Sequence, residues 1–151
     1  MDVKHARWVA MGEVLGALLA AQLERCGAAA GGDAETVVVP VPMPWLRTCG
    51  RGIDHAWTIA RGVARALDLP LRRVLRQRHA GTQVEAEGRD ARRARRLRFA
   101  ALRSARKHLA GAHAVLVDDV RTTGSTLDAC AMLLRRAGAA RVTAAVVSVR
   151  T

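Results

Sequence analysis

Two adjacent carboxylates, Asp118 and Asp119, stand between a short apolar run, Ala114–Val117, and a cluster of hydroxyls at Thr122, Thr123, Ser125 and Thr126. An apolar run of this length predicts a buried strand. Leu127, Cys130, Ala131 and Leu134 then recur at helical spacing, so the turn around Gly124 opens a helix. Backbone N–H groups at a helix N-terminus attract phosphate. Ionised carboxylates accept hydrogen bonds of the kind that sugar hydroxyls donate. A strand, an acidic tip and a hydroxyl-rich turn therefore form a segment suited to holding a sugar by its diol and its phosphate together. Asp128, three residues after Ser125, predicts an acidic variant of the capping box at the start of the helix.

The rest of the chain must position that segment. Lys4, His5 and Arg7 precede an apolar stretch, Trp8–Ala21, interrupted by Glu13. Val3, Ala10, Val14, Ala17, Leu18 and Ala21 recur at helical spacing, which predicts an amphipathic helix ending near Gly27 rather than an export signal. Gly27–Glu35 reads as a connector, and Thr36–Val41 as a central parallel strand ended by Pro40, Pro42 and Pro44. A loop with Arg47, Gly50, Arg51 and Gly52 leads to a second helix over Ile53–Leu67. Leu71–Leu75 reads as a short extended piece, Arg76–Gly88 as a mobile loop and Arg89–Arg98 as a basic helical stretch, with Phe99 plugging into the core. After the motif helix, Gly138 reads as its left-handed cap and Val142–Val149 as the last strand. Strands alternating with helices predict an α/β fold with a parallel sheet, whose ligands bind at the carboxyl ends of the strands. Asp118 and the loop after Val41 fall on that rim.

The 151 residues suit one domain with a core of its own, and 50% hydrophobic content argues against disorder. No stretch of 18 apolar residues predicts a membrane span. Cys26, Cys49 and Cys130 are an odd, unspaced set, which fits a reducing cytoplasm and leaves no zinc ribbon. The net charge of +12 is uneven: residues 72–107 hold 13 Arg or Lys against 3 Asp or Glu, 13 − 3 = +10. Such a block attracts polyanions, although a solvated, Arg-rich helix face would look the same. No dinucleotide Gly-x-Gly-x-x-Gly and no Walker A loop is present. The adjacent carboxylates do not match the Asp-x-Asp of haloacid-dehalogenase-type nucleophiles. They also lie too late in the chain for a response-regulator receiver.

The segment 114–126 resembles the 5-phosphoribosyl-1-pyrophosphate (PRPP) binding motif of type I phosphoribosyltransferases, without a gap. Val39–Pro42, Arg47 and Arg51-Gly52-Ile53-Asp54-His55-Ala56 resemble, more narrowly, the Arg-Gly-Phe-Asn-Gln-Ala signature of the ComF family, linked to competence for DNA uptake. Arg78, Thr82-Gln83, Arg89 and Phe99 match later stations of that pattern, so the resemblance covers roughly residues 36–149. It implies a type I phosphoribosyltransferase-like α/β fold, a mainly parallel sheet flanked by helices. Residues 1–151 would form one domain, with 1–27 an N-terminal helix serving as a partial hood and 36–149 the core. The family's usual four-cysteine ribbon is absent from the sequence, and Asp54 and His55 replace Asn and Gln.

The resemblance also implies roles. Asp118 and Asp119 would hold the ribose hydroxyls, and Thr122, Thr123, Gly124, Ser125 and Thr126 the 5-phosphate. Arg47 and Arg51 are candidates for pyrophosphate, because guanidinium groups match phosphate bidentately. Arg78, Gln83 and Arg89 are candidates from the mobile loop. Magnesium would arrive with PRPP rather than on a protein cage. Thr122 stands where several phosphoribosyltransferases carry a carboxylate, and a hydroxyl is no general base near neutral pH. His55 and His79 could move a proton, although a histidine at such places is more often simply solvated. The expected activity is transfer of phosphoribosyl from PRPP to an unknown acceptor. The alternative is a non-catalytic PRPP or nucleotide sensor, or a nucleic-acid-binding accessory using residues 89–98. A homodimer is common in similar proteins.

Overall fold

The computed structural model describes residues 3–29, 32, 34–43, 54–78 and 98–150. Helix α1 (Val3–Arg25) is followed by strand β1 (Thr36–Pro40) and helix α2 (His55–Ala66). Strands β2 (Leu75–Gln77) and β3 (Phe99–Ala101) precede a one-turn helix α3 (Ala105–Leu109). Strand β4 (His113–Arg121), helix α4 (Ser125–Arg136) and strand β5 (Arg141–Val149) complete the order. The parallel sheet runs β1-β4-β5, with Leu71 bridging to Val38 at its far side, and β2 and β3 form a separate antiparallel pair. No described helix is long and apolar enough to cross a membrane.

β4 is the middle strand, and its alternation sorts the two cores. Ala114 and Leu116 pack with Leu109, Cys130 and Leu134 on one face, beneath α3 and α4. Val115 and Val117 pack with Ala20, Ile59 and Val63 on the other, beneath α1 and α2. Both faces are covered, so the strand is a continuous apolar run rather than an alternating one. Phe99 is buried as the sequence predicts. So is Cys130, whose thiol burial, with Asp118 nearby, pushes up to about 12, leaving it inert.

α1 exists where its periodicity places it and ends at Arg25, two residues before Gly27, whose φ is +63°, but it buries a different face. Gly12, Gly16, Ala20 and Leu23 are inward, whereas Val14, Ala17, Leu18 and Ala21 are exposed. The reason is the close approach of α2. A Cβ on Gly16 or Gly62 would come under 3.0 Å from the backbone of the opposite helix. Absent side chains, rather than large ones, make this contact. Glu13 ties it at the rim through Arg61 at 2.9 Å and Arg65 at 3.5 Å, exposed pairs that contribute little.

Three further differences have local causes. β4 runs on past Val117, because β5 stays in register as far as Arg121; Asp118 and Asp119 therefore sit inside the strand rather than beyond it. Arg76 and Gln77 belong to β2 instead of a loop. The capping box does not form: Gly124 is the N-cap at φ +76°, with no side-chain cap bond. Ser125, already the first helical residue, is past the position from which its hydroxyl could cap. Gly138 has the positive φ expected after α4. Most of the basic stretch 89–98, the loop 44–53 and residues 79–88 lie outside the described residues.

At the opposite end of β4 His113 is fully buried. Its ring nitrogens lie 2.9 Å from Thr143 Oγ1 and 3.5 Å from Thr36 Oγ1, linking all three strands. Burial, then the charge of Arg141, lowers its pKa below 6.5. The unfolded chain therefore takes up the proton first as pH falls, and the stability held above pH 6.5 declines below it. Chemical denaturation of wild type and His113→Asn across pH 7.5 to 5 should show a steeper acid loss in the wild type. Gly62→Ala should cost about 1–3 kcal/mol by overpacking, read from the same denaturation curves at neutral pH, whereas a Cβ on Gly27 would meet nothing within 4 Å and offers no comparable clash.

Candidate functional site

β4 and the turn after it build one rim of a cavity of about 470 Å³. Asp118, Asp119, Thr122, Thr123, Ser125 and Thr126 all line it, together with Val41, Pro42 and Met43 from the end of β1. Gln77, Arg98 and Phe99 close it from the β2–β3 ribbon. A larger hollow of about 580 Å³ between α4 and β5 holds neither carboxylate nor the hydroxyl turn. Chemistry, rather than size, marks the site.

The period of two along β4 sends the carboxylates to opposite faces. Asp118 follows Leu116 toward α4, and Asp119 follows Val117 toward α1 and α2. Each curls back on the backbone: Asp119 N–H donates to Asp118 Oδ1 at 2.9 Å, and Val120 N–H to Asp119 Oδ1 at 2.8 Å. Burial pushes Asp118 up to about 7; the Asp119 N–H bond opposes that, and the Asp119 charge adds to it. The turn is held by its hydroxyls, with Thr123 Oγ1 and Ser125 Oγ 2.9 Å apart. The Arg121 guanidinium lies against it, its Nε 3.2 Å from where a Gly124 Cβ would stand. The positive φ and this contact make Gly124 the position of the turn least open to a side chain.

Asp54 is already engaged. Its Oδ1 accepts from Trp57 N–H at 2.9 Å as the N-cap of α2, and Oδ2 lies 3.6 Å from Arg73. Arg73 in turn stacks on the Trp57 ring at 3.8 Å. The carboxylate that replaces the family's amide thus caps a helix, the use to which Asp is well suited. Arg78 follows β2, its N–H donating to the Arg98 carbonyl, and it does not line the cavity. Arg47, Arg51, Gln83 and Arg89 lie outside the described residues. Two cavity residues are not singled out by the sequence. Arg98 reads there only as part of a basic run, and Gln77 as loop. The Gln77 carboxamide oxygen is buried with no hydrogen-bond partner among the described residues, a signal that only the three-dimensional structure supplies.

The profile of the phosphoribosyl transferase domain matches residues 54–150, well over half of the chain. The chain belongs to that family, and it is a ComF-like member of it. It is 33% identical over 103 residues to Competence protein F of Haemophilus influenzae, covering 67% of this chain and 44% of the relative. The chain thus spans less than half of that relative's length. Among solved structures, the glutamine PRPP amidotransferase of B. subtilis superposes with a TM-score of 0.59 at 24% identity, over 91% of this chain and 26% of the other. The hypoxanthine phosphoribosyltransferase of Trypanosoma cruzi superposes with a TM-score of 0.53 at 13% identity, over 94% and 78%. These likenesses establish the fold, a type I phosphoribosyltransferase-like parallel sheet flanked by helices.

A raised folded pKa at Asp118 has a defined stability consequence. Between 3.8 and about 7 the folded state keeps a proton that the unfolded chain has released. This contribution is complete at low pH and is lost as pH rises through about 7. Asp118→Asn should therefore match wild type near pH 4 and exceed it by about 1–3 kcal/mol at pH 8, measured by denaturant titration at both pH values.

Proposed function

We propose that the chain binds PRPP and transfers its phosphoribosyl group to an acceptor. The observation that carries this reading is the convergence of both carboxylates and the hydroxyl turn on one cavity at the carboxyl end of the parallel sheet. Asp118 and Asp119 accept hydrogen bonds from the ribose hydroxyls. The N–H and hydroxyl groups of residues 122–126 receive the 5-phosphate, where the opening of α4 and the Arg121 guanidinium favour negative charge. Gln77, whose oxygen has no partner among the described residues, and Arg98 line the same wall. Arg47 and Arg51 remain candidates for the pyrophosphate, and Arg78, Gln83 and Arg89 for closure over it.

Among the described residues no three His, Cys, Asp or Glu side chains form a metal cluster. Magnesium would arrive with PRPP, held by phosphate oxygens and water rather than by a protein cage. Bound with PRPP, magnesium would neutralise charge on the departing pyrophosphate. The residues of the protein orient the sugar and hold its phosphate, and the buried Asp118 must shed its proton to accept both diol hydrogens.

Sensing without turnover is the second reading, favoured by Thr122, an exposed hydroxyl where a base would be useful. Pyrophosphate release from PRPP, screened across bases and amines, separates the two: release with any acceptor supports transfer, and a flat response supports sensing. Isothermal calorimetry with PRPP and Mg²⁺ should show binding that strengthens as pH rises through about 7, following Asp118. Asp119→Asn should weaken it at least about tenfold, the loss of a charge-assisted hydrogen bond. Undiminished binding in Asp118→Asn/Asp119→Asn would remove the sugar site from this rim.

A further inference from the structure

The hollow of about 580 Å³ between α4 and β5 shares no described lining residue with the cavity that holds Asp118. One wall is a single face of α4, on which Asp128, Ala131, Met132 and Arg135 recur at spacings of three and four. The other wall is β5, where Val142 and Ala144, two residues apart, share the face turned to α4. β5 ends the sheet, with β4 its one strand neighbour among the described residues. The hollow is therefore a groove beside a sheet edge, a place where other chains readily attach. Its volume lies within the usual range of binding pockets.

Charge divides the groove along its length. Asp128 stands in the first turn of α4 and Arg135 and Arg136 in the last, about 11 Å further along the axis. Both arginines are exposed, and neither guanidinium has an ion-pair or hydrogen-bond partner among the described residues. Cations in a last turn favour the helix dipole, and guanidinium groups also grip carboxylates through two hydrogen bonds at once. Between the charged ends the wall is apolar. Leu127 is buried, and half-buried Met132 is a side chain that adapts to varied apolar partners. A nucleic acid would meet Asp128 as well as the arginines, and no aromatic side chain in the described lining offers a base a stacking surface. A second copy is disfavoured by the net charge of +12. Two carboxylates that such a copy would bring are also engaged already, Glu13 by Arg61 and Arg65 and Asp54 by Arg73.

We propose that this groove docks a short acidic segment of a partner protein, with apolar side chains seated between α4 and β5 and carboxylates on Arg135 and Arg136. Asp128 repels carboxylates at the other end, so the segment lies in one direction. The proposal holds whatever the Asp118 cavity binds. α4 serves the two sites from different sides: Ser125 and Thr126 line the Asp118 cavity, and the face from Leu127 to Arg136 lines the groove. A docked partner is thus held on the back of the helix whose first turn builds the other site, and leaves that site open.

A displayed library of random short peptides, panned against the full chain, tests the groove. Enriched peptides should carry Asp or Glu beside large apolar residues. One of them, labelled and titrated by fluorescence polarisation, should bind at least about tenfold more weakly to Arg135→Gln/Arg136→Gln and to Met132→Asp. Arg7→Gln/Arg25→Gln, an exposed pair on α1 at the opposite face of the sheet, should leave its affinity within about twofold. On the wild type, backbone amide shifts caused by the peptide should fall on α4 and β5, a reading that needs no variant to fold. No enrichment, enriched peptides without carboxylates, an equal loss in the α1 pair, or shifts confined to other elements overturns the proposal. Two further results overturn it by giving the groove to another occupant. One is a dimer in sedimentation velocity that Met132→Asp disperses. The other is displacement of the peptide by a DNA oligonucleotide whose own binding falls in Arg135→Gln/Arg136→Gln.

Discussion

A strand covered on both faces must stay apolar for as long as the cover lasts, and where the cover stops it can carry charge. β4 obeys this along its whole length. His113–Val117 are buried, Asp118 and Asp119 are half-buried, and Val120 and Arg121 reach solvent. The carboxylates stand where the cover begins to open while β5 still holds the strand in register. Two residues earlier they would be sealed among apolar side chains, and two residues later they would reach solvent. The perturbed Asp118 follows from that compromise: enough burial to hold a carboxyl in place, at the expense of its ionisation. Stability is given up at the rim of the cavity, a common pattern at functional sites.

The glycines between α1 and α2 serve the same end from a distance. Gly12, Gly16 and Gly62 bring two helix backbones together, which seats α1 low over the sheet beside the end of β4. Trp8 and Met11, near the start of α1, reach a small cavity beside Asp119 because the rest of the helix is held so close. The N-cap at Asp54 fixes the start of α2, and with it His55.

Much of this is legible in the sequence where one signal dominates. The acid pair, the hydroxyl turn and the buried run of β4 are local and adjacent, and each is found where the sequence puts it. The buried face of α1 is not, because hydrophobic periodicity weighs large side chains and this contact is made by their absence. The end of β4 reads short for a related reason: apolar content reports burial, whereas a strand continues as long as its neighbour offers hydrogen bonds. α3 has five residues, too few for any period to show. Gln77 carries no signal of its own, since a lone amide gains meaning only from the walls around it. The basic residues 72–107 point to a polyanion, yet the charge near Asp119 is set by which few side chains the fold brings there.

The division of Asp118 and Asp119 between the two faces of one strand has an evolutionary consequence. The wall on the α4 side joins the end of β1, the β2–β3 ribbon and the turn after β4, which also carry the core, so changes there strike several functions at once. The wall on the α1 side is assembled from a terminal helix and strand ends, whose outer residues bear little on the core. Variation can accumulate on that side while the other is held fixed. A fold arranged in this way can exchange one chemical partner for another without relearning how to hold the first.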